Sequence, residues 1–180
     1  TIYTFKEKQK DVLAESLVIF LQNLIEKYDY IIAPSGTFSK NFIPRLGAVF
    51  NLQPISDIIK IHDDKTFDRP IYAGNAIATV KSKDKKIILT IRGTAFHPVD
   101  LNGGDASIEI LPDIQEVQNS KFMSKEISSS ERPDLSSAKI IISGGRGVGS
   151  KENFSIIEKF ADKIGAAIGA SRAAVDAGYI

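Results

Sequence analysis

The stretch SGGRGVGS at residues 143–150 carries the densest chemical signal in the chain. Glycines let a backbone turn tightly and bring its N–H groups against a ligand. A helix that follows points the positive end of its dipole at the same place, which favours phosphate. The dinucleotide fingerprint G-x-G-x-x-G is met at Gly145 and Gly147, with Ser150 standing in the third place. A tight turn that binds nothing is the competing reading. Arg146, flanked by glycines, has little to pack against, so its guanidinium can reach a phosphate or a flavin carbonyl, or lie solvated. Further on, Ser171 and Arg172 follow the apolar run 166–170, at a strand end where open parallel sheets dock ligands. An NAD-binding fold would place an acidic residue near there. Arg172 offers positive charge instead, which could meet a 2′-phosphate, stabilise a reduced flavin as it gains negative charge, or simply begin the next helix. Asp176 reads as structural and Gly178 as the end of a turn.

Little else in the chain could do chemistry. Arg69, Tyr72 and Arg92 lie in strand context, where fixing a hairpin or facing a partner outweighs catalysis. His62 and His97 are far apart with no ligand spacing around either, so no metal site is expected. Ser35, in APSGT, resembles a small turn, and no histidine–acid pairing supports a hydrolase. There is no cysteine, which excludes disulfides, thiolate metal sites and cysteine catalysis. The net charge of +1 encodes no strong pull toward nucleic acid or anionic membrane. The longest apolar runs are too short to span a bilayer, so no membrane insertion is expected. The 180 residues, 43% hydrophobic and 25% charged, suit a soluble α/β chain with a sizeable core.

The elements that must position the loop follow from periodicity. Residues 139–142 (KIII) read as a buried strand, 143–150 as the loop, 151–164 as a helix with Phe154, Ile157, Ala161 and Ile164 on one face, and 166–170 as a second strand. That is a βαβ half-unit. Upstream, residues 11–28 read as an amphipathic helix through Leu13, Leu17, Phe20, Leu21 and Leu24. Residues 30–33 read as a buried strand, and 37–51 as a helix with Phe38, Phe42, Leu46 and Phe50 on one face. Pro44 should kink that helix or mark its start. Residues 55–61, 71–80 and 86–92 are strand-like, 99–107 a loop and 108–111 a further strand. Residues 119–131 are polar and serine-rich, and 129–137 look like a linker.

Together these residues resemble a family. SGGRGVGSKENF at 143–154 followed by GAAIGASRAAVDAGYI at 165–180 is similar to the opening of the FAD domain of electron transfer flavoprotein alpha subunits. LQPISDIIKI, TFDRPIYAGNAIATV, IRGTAF and SERPDLSSAKIIISGGRG resemble the same family in the same order. The resemblance implies an N-terminal three-layer α/β domain over residues 1–135, then the first βαβ half-unit of a Rossmann-like FAD-binding domain over 136–180. It implies FAD held by Gly145, Arg146, Gly147, Ser171 and Arg172, with Arg172 near the isoalloxazine ring, where fixed positive charge favours the reduced flavin. It also implies a beta subunit as heterodimer partner, often holding AMP. Electrons would come from acyl-CoA dehydrogenases of fatty acid β-oxidation and pass to a membrane quinone oxidoreductase. Such a carrier is no enzyme, and would lie in the cytoplasm of a bacterium or the mitochondrial matrix of a eukaryote. The alternatives are an NADP-dependent oxidoreductase and a non-redox nucleotide-binding module. The chain starts without Met and stops at Ile180, so it reads as an internal piece lacking about sixty leading residues and the remaining FAD contacts. Alone it should hold FAD poorly, because one loop and two strands cannot enclose a dinucleotide.

Overall fold

A parallel sheet organises the first half of the protein. Its central strand is IILTI, and a strand covered on both faces should read as a continuous apolar run. The structure, a computed structural model, describes residues 1–7, 11–100, 102–124, 132–133, 135 and 138–180. These fall into two compact units, Thr1–Met123 and Ser124–Ile180. In the first, the elements are β1 (Ile2–Phe5), α1 (Ala14–Ile25), β2 (Tyr30–Pro34), α2 (Thr37–Phe50), β3 (Ile55–Ile58), β4 (Lys60–Ile61), β5 (Thr66–Ile71), β6 (Ala76–Lys81), β7 (Ile87–Ile91) and β8 (Ile108–Leu111). The second holds β9 (Ile141–Gly144), α3 (Lys151–Ile164), β10 (Ala167–Ala170) and α4 (Arg172–Asp176). The chain is thus of the α/β class, with parallel sheets.

Strand β7 pairs in parallel with β2 on one side and β3 on the other. Its side chains alternate between two cores. Ile88 joins Val18 and Ile25 of α1, Ala33, and Phe42, Ile43 and Leu46 of α2. Ile87 and Leu89 face the other way, onto Ile55, Ile58 and Phe67. That second core is closed by the antiparallel sheet β4-β5-β6, with Phe67 buried and Val80 packed beside it. Helices, parallel sheet and hairpin sheet therefore form three layers. Strands β1 and β8 make a separate parallel pair.

Several sequence expectations are corrected. Strand β2 is not buried throughout. Ala33 is covered by the helix-side core, while Tyr30 and Ile32 are exposed, because the core on the other face draws on β3, β5 and β7 and takes no residue of β2. Helix α2 starts at Thr37 and runs through Pro44, whose exposed position lets solvent satisfy the carbonyl that loses its partner. Phe38 points to solvent, and Ile43 takes its place in the core. The run 71–80 holds only one full strand, β6: residue 71 ends β5, whose other residues carry no strand expectation, and Tyr72, Ala73 and Gly74 adopt positive φ and turn β5 back onto β6. Strand β1 was not foreseen. Strand β9 begins at residue 141 and is not buried, since its two-stranded sheet leaves Ile140 and Ile141 exposed. On α3, Phe154 and Ala161 are buried but Ile164 is exposed. Residues 101, 125–131, 134, 136 and 137, on which parts of the loop, serine-rich and linker expectations fall, lie outside the described residues.

Long-range polar contacts fasten these elements. Lys86 Nζ donates to the carbonyls of Glu26 at 2.9 Å and Tyr28 at 2.7 Å, closing the end of α1, whose last turn holds no basic residue. In the second unit Arg132 forks onto Asp162 of α3, with Nε–Oδ1 at 2.6 Å and Nη2–Oδ2 at 3.1 Å.

At the carboxyl end of the parallel sheet, the Arg92 guanidinium forks onto Asp57. Asp57 holds a left-handed φ of 62°, and its N–H donates to Thr90 Oγ1 at 2.9 Å. The hydrogen bonds from Arg92 keep its carboxyl below the usual range, and nearby Ser35 and Lys40 act in the same direction. A carboxyl with a depressed folded-state pKa adds stability that is complete above the unfolded value, about 3.9. That stability is lost as pH falls through the folded value. Asn tolerates the same backbone, so Asp57→Asn isolates the charge. It should cost on the order of 1 kcal/mol at pH 7 and nothing once the wild-type carboxyl is protonated. Urea unfolding across the acid range checks this, and a pH-independent difference would refute it.

Candidate functional site

The second unit is built around the turn between β9 and α3. Gly144, the last residue of β9, can be nothing larger in this packing. A Cβ there would lie 2.5 Å from Phe154 Cε2 and 2.8 Å from Ile157 Cδ1. The chain then turns through a short 3-10 stretch at Arg146–Val148, closed by Val148 N–H to the Gly145 carbonyl and Gly149 N–H to the Arg146 carbonyl, both at 3.1 Å. Gly149 carries φ of 84°, a conformation that favours glycine. Ser150 caps α3 by accepting from Asn153 N–H at 3.2 Å. Asn153 Nδ2 in turn donates to the Val148 carbonyl at 2.9 Å and so pins the turn to the helix.

Strand β10 pairs with β9 in parallel, Ala170 opposite Gly144. Just beyond the pair, Ser171 N–H donates to the Gly144 carbonyl at 3.0 Å. Ser171 Oγ would lie 3.8 Å from a Cβ on Gly145. The structure therefore brings the glycine turn and the Ser171–Arg172 pair together at the carboxyl ends of adjacent parallel strands. Of the residues singled out from the sequence, Gly145 abuts Ser171. Gly147 has nothing within 4 Å of where a Cβ would stand, so its backbone is open to an approaching group. Arg146 is exposed and makes no side-chain hydrogen bond or ion pair among the described residues. The Ser171 hydroxyl accepts from Ala174 N–H at 3.3 Å as the cap of α4, which leaves its own proton to donate. Arg172 is 93% exposed and meets Asp176 at 3.5 Å, one helical turn on. Exposed ion pairs contribute at most about 1 kcal/mol, so this one is readily exchanged for another anion.

One negative group already stands at the site. Glu152, in the first turn of α3, has its carboxyl lowered by its own backbone N–H and by the Ser150 hydroxyl. The amino end of α3 thus stabilises an anion. Sequence reading passed over Gly144, Gly149 and Asn153. The Ser150 cap is legible as a serine placed just ahead of an apolar-periodic run, although the fingerprint sets it in the place of a third glycine. In the first unit, His62 Nε2 lies 2.8 Å from Asp68 Oδ2, and His97 is not near it in sequence. Among the described residues no group of three histidines, aspartates or glutamates could hold a metal, and no helix is long and apolar enough to cross a membrane.

Comparison with known proteins covers both units. The model of the electron transfer flavoprotein domain matches residues 2–118, and that of the electron transfer flavoprotein FAD-binding domain matches residues 134–180. The chain is 44% identical over 168 residues to the electron transfer flavoprotein subunit alpha of Pseudomonas aeruginosa, covering 93% of this chain and 54% of that one. It is 48% identical over 168 residues to the subunit alpha of Bradyrhizobium diazoefficiens, covering 93% and 53%. To the mitochondrial subunit alpha of Dictyostelium discoideum it is 47% identical over 163 residues, covering 86% and 46%. The chain spans about half the length of the curated relatives it matches.

Proposed function

The chain belongs to the electron transfer flavoprotein alpha-subunit family, and from that premise we propose that it helps hold FAD in a protein that carries electrons without transforming a substrate. The supporting observation is the juxtaposition at the ends of β9 and β10: an open glycine turn, a helix amino end and two exposed arginines on one edge. The residues fit the group. Gly145 and Gly147 leave the backbone accessible to a pyrophosphate, and Gly145 lies beside the Ser171 hydroxyl. Arg146 brings a guanidinium free to pair with an anionic oxygen. Ser171 has a hydroxyl proton to donate, and Arg172 a positive charge that can leave Asp176 for the flavin ring. When bound, FAD supplies the reversible uptake of electrons. The chain's own contribution is to orient it and fix its local charge.

In this reading residues 1–135 form the N-terminal domain and 136–180 open a Rossmann-like FAD-binding domain. The working protein is a heterodimer with a beta subunit, which holds AMP. It accepts electrons from acyl-CoA and related dehydrogenases in fatty acid β-oxidation and passes them to a membrane quinone oxidoreductase, in the bacterial cytoplasm or the mitochondrial matrix. The assembled two-subunit protein should carry one FAD. That flavin should bleach on addition of an acyl-CoA with its dehydrogenase and regain colour with the quinone oxidoreductase. Colourless protein, or flavin that stays oxidised in the complete mixture, would overturn the reading.

A further inference from the structure

Arg69 is out of place on the pleat of its hairpin. It pairs across the ladder with Ala78, two residues along from the Phe67–Val80 pair, and so shares the inward face with buried Phe67. An apolar residue is the expected occupant of such a position. Among the described residues the guanidinium makes one hydrogen bond, Nη2 to the neutral Ser56 Oγ at 2.9 Å, and its buried Nε has no acceptor. A half-buried guanidinium without an anion, and with an N–H unmet, costs free energy that a native site ordinarily recovers by binding something.

The surroundings say what. Arg69 lines a cavity of about 370 Å³ within the first unit, inside the size range of small-molecule sites. Pro54, Ile55 and Val80 make its apolar wall, and Lys81 and Lys83 bring two more positive charges. The lining carboxylate, Asp84, already accepts from Gln53 N–H at 2.8 Å. Three cations against one carboxylate leave the cavity positive. We propose that this cavity between the α2–β3 connection and the β5–β6 hairpin binds a small organic anion, an oxyanion headgroup forked by Arg69 on a short apolar stem laid against Pro54, Ile55 and Val80. A planar guanidinium suits either a carboxylate or a phosphate. The apolar wall selects against the bare inorganic ion. The site stands apart from the glycine turn and its arginines in sequence and does not depend on what they bind.

The test uses the full subunit assembled with its partner. Hexanoate and hexyl phosphate are titrated while the Arg69 Nε–H resonance and the thermal midpoint are followed. At least one of the two should give a saturable shift, with inorganic phosphate and hexan-1-ol each about tenfold weaker or worse. Loss of a charge-assisted hydrogen bond is worth about tenfold or more, so Arg69→Gln should weaken binding by at least that factor. Should that variant fail to fold, Lys81→Gln and Lys83→Gln, both at exposed positions, keep the proposal open to refutation, each with an expected loss of about threefold. The proposal is overturned by a response that never saturates, by equal affinity in all the variants, by hexan-1-ol or inorganic phosphate binding as well as the organic anions, or by a cavity already filled by an acidic side chain of the partner.

Discussion

Neutralising both site arginines, Arg146→Gln with Arg172→Gln, should lower the FAD affinity of the assembled protein by between about 100-fold and 10,000-fold. Each charge-assisted hydrogen bond to an anionic acceptor is worth roughly 1.5–3 kcal/mol, and the two act on one ligand. The loss should come without loss of fold. Both side chains are exposed, and Arg172 gives up only a surface pair with Asp176, so the unfolding transition of the flavin-free protein should move by about 0.5 kcal/mol or less. Flavin fluorescence measures the affinity. The midpoint potential of whatever flavin stays bound provides a second reading: removing positive charge disfavours the reduced form, so the potential should fall. Arg172→Lys keeps the charge and loses the planar fork, and should restore more of the potential than of the affinity. Unchanged affinity and potential in the double variant would remove both arginines from the site.

The largest effect on stability is expected at Phe154. Its ring is fully buried and fills the space that Gly144 leaves empty, so Phe154→Ala should cost about 3–5 kcal/mol. The reverse change tests the same contact from the other side. Gly144→Ala places a methyl 2.5 Å from the ring edge and should cost about 1–3 kcal/mol through overpacking. The two changes should not add. With the ring gone, two of the three nearest atoms to the methyl disappear and Ile157 Cδ1, the end of a flexible side chain, remains at 2.8 Å, so the second cost should shrink. Denaturant unfolding of the full subunit carrying each single change and the pair reads the coupling. Strict additivity would mean that ring and glycine do not share one space.

The loop and its flanking helix were legible because their signals are local. A glycine run between an apolar stretch and a periodic one has few readings, and the helix Lys151–Ile164 was placed to the residue. Failures came where the answer depends on what lies across from a segment. YIIA and KIII have the composition of buried strands, yet Ile32 and Ile141 are exposed because neither side chain belongs to a core that packs on its face of the sheet. Residues 71–80 are apolar enough to read as strand from end to end, and only the left-handed backbone of Tyr72 and Ala73 reveals that the first of them end β5 and turn before β6 begins. Gly144 could not be ranked above its neighbours from sequence, because its importance lies in a ring ten positions away. Arg69 reads from sequence as fixing a hairpin or facing a partner, and its unmet Nε emerges only when Ser56 and the cavity wall are in place.

Lys86 has a consequence for how the first unit opens. The last carbonyls of α1, Leu24 and Ile25, accept from Lys27 and Tyr28 N–H, but those of Glu26 and Tyr28 just beyond are met by Lys86, at the start of the central strand. Fraying the last turn of α1 and loosening the start of β7 should therefore be a single event. In amide hydrogen exchange, the protons of the two segments should be released together, with one shared opening free energy.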